Sequence, residues 1–324
     1  MRCSVGIRAV FYAMLAAAAA VHAHAQETTV NEHAQETTAS PSPQGEAPAR
    51  EAAPYRPIEG NVIIDLPSVD VPREGTLTML FTHRFQQPVQ DSTIHDLYSF
   101  DNGAHIGIGL WYAPVKNLNA GFYRSSDLDV YEVSAQYQVP ITAGGFGASV
   151  RIGEDWRTEQ GAAAPISSFF AQGILAYSFG PYVRLTAIPT YLQRTNGVAF
   201  NRTLPPPNDE SCHEVQVGVP PTTRFSCSGL YENLFNVPFA ASIAITHSIT
   251  VHGEVTPSLG KANSQGVGWI VSVEKTLLRH RFAFTAGNQR RTTVDQYTPG
   301  IPLGTTRPKD IFLGFNIMRQ WKLK

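Results

Sequence analysis

The sequence has no long apolar run after its N-terminus and no excess of charge of either sign. Beyond residue 25, no stretch reaches the roughly 20 apolar residues that a transmembrane helix needs. The 25 basic and 26 acidic residues nearly cancel, which gives no sign of a nucleic-acid-binding surface. We therefore expect neither a helical membrane protein nor a protein with a nucleic acid partner.

Motifs of catalysis are missing as well. The sequence contains no Gly-x-Ser-x-Gly, no His-Glu-x-x-His and no Cys-x-x-Cys-His. Barrel phospholipases of the outer membrane use a Ser-His pair on the wall, and no predicted strand carries His and Ser two residues apart. His247 and Ser248 are adjacent in a predicted turn, and His83 is interpreted as a histidine at the membrane rim. We expect no enzymatic activity and no cofactor.

The main feature of the sequence is an alternation of apolar and polar residues from Thr76 to Trp321. Segments of about ten residues are separated by breaks that are alternately short and long. The tight link at 126–128 is the exception, because it is a short break where the alternation calls for a long one. Short periplasmic turns and longer external loops are typical of outer-membrane barrels. The pattern predicts an all-β protein, a single antiparallel up-and-down transmembrane β-barrel of about 12 strands, with both chain ends in the periplasm.

Two details of this pattern carry further expectations. The largest predicted external loops are 86–103, 193–233 and 289–308, and loops are where barrels usually carry specificity. Pro189 and Pro238 fall inside predicted strands, where a missing N–H interrupts the hydrogen-bond ladder. We expect these prolines to mark bulges or strand ends.

The alternation also places a set of charges on the inner face of the barrel. Successive strand residues point to opposite faces, and an isolated charge is costly in a narrow interior, so these residues are expected to pair or to stay hydrated. One interpretation is a salt-bridge ladder that braces the wall, and the other is a charged constriction that selects small solutes. The predicted lumen charges are Arg84, Glu132, Arg151, Arg184, Glu254 and Glu274.

The N-terminal quarter of the chain has a different character. Residues 1–25 combine Arg2 and Arg8, a short apolar run and Ala23-His24-Ala25, which predicts a cleaved signal peptide. Residues 26–58 lack periodicity and predict a disordered periplasmic tail. Residues 59–75 are expected to be a lead-in to the barrel of residues 76–324, and insertion of this segment into the barrel mouth is the alternative.

Cysteine is scarce, with three residues in the whole chain. Cys3 lies in the predicted signal peptide, and Cys212 and Cys227 both lie in the longest predicted loop. We expect a disulfide between them, because an exported protein enters an oxidising compartment. A metal site at Cys212, His213 and Cys227 lacks a fourth ligand at recognisable spacing, so no metal is expected.

From about Ile64 to the C-terminus, the sequence resembles an uncharacterised bacterial family described as a membrane-bound β-barrel domain of unknown function. The resemblance implies a barrel and brings no activity with it, and the long loop with its two cysteines departs from the family pattern. It depends on short motifs spread along the chain, namely Gly75-Thr76-Leu77, Thr82-His83-Arg84-Phe85, Gly121-Phe122-Tyr123-Arg124-Ser125-Ser126, His280-Arg281-Phe282 and Leu313-Gly314-Phe315-Asn316-Ile317.

These observations predict an outer-membrane barrel that either has a structural role or forms a narrow pore for small solutes. The alternative is a scaffold that binds an external or periplasmic partner through its loops, and a lipid hydrolase is a further, less favoured alternative. Outer-membrane lipid is the partner that the apolar face implies.

Overall fold

A computed structural model of the chain describes residues 60–101, 103–141, 144–157, 166–195, 212–217, 222–227, 231–258, 264–302 and 307–323. The predicted signal peptide at 1–25 and the predicted tail at 26–58 lie outside the described residues. Within the described part of the chain, none of the helices has the length and apolar character that crossing a bilayer requires.

The described structure is dominated by β-strands. One four-residue helix, α1, covers Val294–Tyr297. The strands are β1 Thr76–Phe85, β2 Ala104–Val115, β3 Leu118–Ser125, β4 Val130–Val139, β5 Phe146–Arg157, β6 Ile166–Phe179, β7 Val183–Ala187, β8 Thr190–Thr195, β9 Cys212–Val217, β10 Thr222–Cys227, β11 Tyr231–Asn236, β12 Phe239–Ala244, β13 Ile249–Thr256, β14 Ser264–Gly266, β15 Gly268–Leu277, β16 His280–Gly287, β17 Ile301–Pro302 and β18 Phe312–Lys322.

The main sheet closes into an antiparallel barrel of 12 strands, which confirms the predicted fold class. The first strand pairs with the last over Thr76 to Arg84, and β6 pairs with both β7 and β8. Two barrel strands are each built from two segments, β7 with β8 and β11 with β12, and the interruptions fall at Pro189 and Pro238. The prolines therefore stand at strand ends, as the sequence predicted.

The two faces of the wall have the predicted orientation. On β2, Ile106, Ile108 and Leu110 are 38%, 50% and 45% exposed on the outer face, whereas Trp111 is 6% exposed inside. A closed barrel has no free strand edges, so its backbone groups are paired while its outer side chains face lipid. The outer face is an apolar belt, and the polar face surrounds the lumen.

Several bounds differ from the sequence prediction. Strand β5 continues to Arg157 and β6 begins at Ile166, so both strands extend into the predicted loop 154–167. The predicted loop 193–233 contains a hairpin of β9 and β10, in which the backbone of Cys212 lies opposite that of Cys227. The disulfide itself stays a prediction.

Residues 60–71, the inserted segment, lie inside the barrel. The chain forms a tight hairpin in which the Ser68 backbone N–H donates to the Asn61 carbonyl at 3.1 Å and the Ile63 N–H donates to the Leu66 carbonyl at 2.8 Å. Gly60 to Val69 are buried. Of the two sequence interpretations, insertion into the barrel is the one that the structure shows. The segment leads into β1 through Gly75, whose positive φ of 71° makes the turn.

Candidate functional site

The six charges predicted to face the lumen are all in the barrel interior. Each is between 1% and 8% exposed, whereas their neighbours along the strands face outward. The six side chains fall into two groups. Those of one group form ion pairs with other residues of the barrel wall, and those of the other group bind the inserted segment.

Glu132 and Arg151 form an ion pair between β4 and β5. Arg151 also donates to the Gln172 side chain at 2.8 Å, and its guanidinium lies 5.1 Å from the centre of the Phe170 ring. The pair thus joins neighbouring strands and is shielded from solvent on one side by an aromatic ring. Such an arrangement braces the wall.

Glu274 takes part in a second wall pair, with Arg281 on the adjacent strand β16. The Arg281 Nε donates to the Glu274 Oε1 at 2.8 Å, and a second contact joins Nη2 to Oε2. This bidentate geometry satisfies both carboxylate oxygens and fixes the orientation of the two side chains. Arg281 was not among the predicted lumen charges.

The remaining three charges bind the inserted segment. The Arg84 Nη2 lies 2.7 Å from the Asp65 Oδ1, and both side chains are almost completely buried. Arg184 pairs with Asp70 nearer the point where the segment leaves the lumen. Burial raises the pKa of Asp65, and the Arg84 guanidinium opposes that rise.

Glu254 is held by backbone donors, with no basic partner among the residues that the structure describes. The N–H groups of Ile64, Asp65 and Leu66 donate to its Oε1 at 2.7, 3.1 and 3.1 Å. Successive N–H groups that converge in this way form a concave anion site, called a nest. The tip of the inserted segment therefore binds a wall carboxylate through its own main chain.

Further polar contacts hold the segment on other sides of the lumen. The Gln136 side chain donates to the Ser68 carbonyl at 2.7 Å, and the Ser149 hydroxyl donates to the Val69 carbonyl at 2.5 Å. On the far wall, the Asn316 side chain donates to the Ile64 carbonyl at 2.8 Å. These contacts come from β4, β5 and β18, so the segment spans the lumen.

Residues 288–302, the inward loop, fill the lumen from the end opposite to the one where the inserted segment leads into β1. The sequence predicted an external loop at 289–308, and the structure shows that this part of the loop folds inward, because all four residues of α1 are buried. The Gln172 side chain donates to the Tyr297 hydroxyl at 3.1 Å, and the Asn236 side chain donates to the Thr298 carbonyl at 2.6 Å. Polar side chains of the wall therefore supply hydrogen bonds to the buried polar groups of the loop.

An ion pair fastens the inward loop to β5. The Arg157 Nε donates to the Asp295 Oδ2 at 2.7 Å, and the Asp295 backbone N–H donates to the Asp155 Oδ2 at 2.8 Å. Nearby, burial lowers the pKa of Arg291 to about 10. The same burial raises the pKa of the Tyr297 hydroxyl. The loop is thus held by charged groups with little access to water.

The two inserted elements meet around Tyr123. Its hydroxyl donates to the Thr292 hydroxyl at 2.7 Å and lies 2.7 Å from the Thr82 hydroxyl. A cavity of about 20 Å³ at this point is lined by Val62, Tyr123 and Tyr297 among others, and it has room for about one water molecule. At this level the two inserted elements leave little free space in the lumen.

The side chains of a serine, a histidine and a carboxylate residue also lie next to one another inside the barrel. The Ser242 hydroxyl lies 2.9 Å from the His252 Nδ1, and the His252 Nε2 is 3.7 Å from Glu274. The second distance exceeds a hydrogen bond, and the Ser242 residue is 1% exposed. In this state the group presents no accessible nucleophile.

Several of the residues at the site were missed by sequence reasoning, for identifiable reasons. Asp155 and Arg157 lie beyond the point where the predicted strand ended, although continuing the alternation from Arg151 places both in the lumen. Asp65 and Asp70 carry no periodic signal, since they lie in the inserted segment.

Comparison with known proteins gives one family match. Residues 59–321 match the sequence model of a family described as a membrane bound beta barrel domain (DUF5777). No curated protein matches the sequence.

Several solved barrels are similar at low identity. The NanC porin is 7% identical, with a TM-score of 0.43 over 75% of this chain and 98% of that one. The COG4313 outer membrane channel from Pseudomonas putida F1 is 8% identical, with a TM-score of 0.45 over 78% and 97%. The outer membrane phospholipase A from Escherichia coli is 9% identical, with a TM-score of 0.38 over 75% and 89%. Likeness at this level carries no argument about function.

Proposed function

The chain belongs to this family of membrane bound beta barrel domains, and we propose that it is a narrow outer-membrane pore for small polar solutes, closed at rest by its inserted segment. In this proposal the short turns and both chain ends face the periplasm, and the long loops face outward. The barrel carries no catalytic role.

The division of the lumen charges carries the proposal. Charges that serve bracing alone would pair along the wall, as Glu132 does with Arg151. Arg84 and Arg184 instead find their acidic partners, and Glu254 its backbone donors, on a segment that no β-ladder joins to the wall. If that segment withdraws, these three side chains line a water-filled passage with one net positive charge, which favours anions.

Planar-bilayer recording of an Asp65→Asn/Asp70→Asn variant tests the proposal. The parent protein is expected to conduct rarely. The variant loses both ion pairs that hold the segment, and it is expected to give more frequent conductance steps with a reversal potential that favours anions. Glu74→Gln is the matched control, because Glu74 is exposed and lies outside the lumen.

The second candidate is a structural barrel that never conducts. The inward loop favours it, since that loop also occupies the lumen and is fastened to the wall. A folded, inserted Asp65→Asn/Asp70→Asn variant without conductance would reject the pore and support the structural barrel.

A further inference from the structure

The loop between β1 and β2 carries a cluster of large apolar side chains that are mostly exposed. Ile94, Leu97, Tyr98 and Phe100 are 61%, 56%, 53% and 48% exposed. Residues 94–99 of their segment form a short 3-10 helix that Thr93 caps, and the Thr93 hydroxyl accepts from the His95 N–H at 3.2 Å. Four neighbouring large apolar residues are unusual on a surface that faces water.

The backbone is strained in a way that presents these side chains. Leu97, Tyr98 and Ser99 have φ values of 50°, 54° and 85°, in the left-handed region that is unfavourable for L-residues. The buried Ser99 hydroxyl donates to the Gln87 carbonyl at 2.8 Å and holds the turn from inside. Local hydrogen bonds thus maintain a conformation that points apolar groups outward.

The segment lies against the outer face of the barrel. Phe85 is on the outward-facing side of β1 and yet is 6% exposed. The Phe100 ring covers it, with ring centres 4.9 Å apart in an edge-to-face contact. The same ring stacks on Phe284 of β16 with centres 6.5 Å apart. Phe284 belongs to the apolar belt and is 48% exposed.

The loop is fixed in this position by the start of β18. The Val89 N–H donates to the Ile311 carbonyl at 2.8 Å, and the Ile311 N–H donates to the Gln90 side chain at 3.0 Å. An exposed ion pair of Arg307 and Asp91 adds to this contact. The apolar cluster is therefore held at the long-loop rim, next to the belt.

We propose that residues 94–100 form a membrane anchor that inserts into the boundary between headgroups and acyl chains of the leaflet on the long-loop side. The occupant is lipid because the cluster continues the lipid-facing belt through Phe100 and Phe284. Aromatic and aliphatic side chains at this level gain free energy by leaving water, and the tyrosine hydroxyl stays at the headgroups. The anchor fixes the barrel at one depth and keeps this rim against the membrane surface.

Spin labelling in phospholipid vesicles tests the anchor. A nitroxide is attached at Leu97→Cys, with Val273→Cys as a lipid-facing reference and Asp129→Cys as a reference on the exposed hairpin of the same rim. The parent chain is treated with the spin label in parallel, so that any labelling of Cys212 and Cys227 is measured. The accessibilities of each label to oxygen, which concentrates in lipid, and to a water-soluble nickel complex are then compared.

The label at position 97 is expected to give an oxygen-to-nickel ratio several-fold higher than the label at 129 and close to that at 273. A ratio equal to that at 129 would overturn the anchor, since the cluster would then face water or a soluble partner. Strong dipolar broadening between labels at 97 would also overturn it, because a second copy of the chain would be the occupant. Leu97→Ser, which keeps the fold contacts, is expected to leave the folded gel mobility unchanged.

Discussion

Glu254 is a buried carboxylate that is accommodated by main-chain donors. Burial of an unpaired carboxylate is costly, and hydrogen bonds to a charged group offset that cost. Three N–H groups at the tip of the inserted segment supply these bonds. The stability of the tip and the burial of the charge therefore depend on each other.

Replacement of Glu254 should release the tip. In Glu254→Ala, the N–H groups of Ile64, Asp65 and Leu66 lose their acceptor, which costs local stability about 2 kcal/mol. Hydrogen exchange of a peptide covering residues 60–71 should then become roughly 30-fold faster.

Glu154→Ala is the control for this experiment. Glu154 contacts Ser167 on the neighbouring strand, and none of its described contacts is with the inserted segment. If residues 60–71 exchange at the same rate in both variants and in the parent, the nest does not hold the tip.

At the scale of elements, the inserted segment is a separate element inside a closed ring of paired strands. Its neighbour on β5 is Gly147, and a Cβ at that position would lie 3.4 Å from a methyl group of Val69. A cysteine at position 69 can place its sulfur where one of these methyl groups lies, within reach of the side chain of a cysteine at position 147. The position gives a direct way to ask whether the segment stays in the lumen.

A Val69→Cys/Gly147→Cys variant is expected to form a disulfide on mild oxidation. The physical reason is the persistent contact of the segment with β5, and mass spectrometry of proteolytic fragments measures the bond. Each single variant serves as a control for pairing with Cys212 or Cys227. Failure of the double variant to cross-link in folded protein would mean that the segment leaves this position for most of the time.

The barrel strands were predictable from the sequence because alternation is local. Thr76–Phe85 and Leu118–Ser125 have the predicted bounds, and the six charges face inward because their phase is fixed by neighbours two residues away. The partners of those charges were not predictable in the same way. Asp65 and Asp295 reach the lumen through irregular chain, whose path depends on contacts far apart in sequence. An external position for loop 289–308 followed from its length alone, and length does not show whether a loop folds inward.

At the scale of the whole molecule, stability has two sources that can be separated. One is the closed ladder, in which every barrel strand is paired on both sides. The other is the filled lumen, where Ile63, Ile64, Leu66 and Val69 of the inserted segment are at most 2% exposed. Burial of each such side chain contributes roughly 1.5–3 kcal/mol. The ladder should survive loss of the segment, at reduced stability.

Gel mobility with and without heating tests whether the strand ladder and the filled lumen contribute separately to stability. A closed barrel resists unfolding by detergent until it is boiled, so the unheated parent should migrate faster than the boiled parent. A variant that lacks residues 60–71 should show the same two bands and convert to the slow band at a lower temperature, because it keeps the ladder and loses the apolar filling. Asp129→Ala, a change on the exposed rim, should convert at the parental temperature. A deletion variant that migrates as the slow band even without heating would show that the barrel cannot close around an empty lumen, and that the segment is part of its folding core.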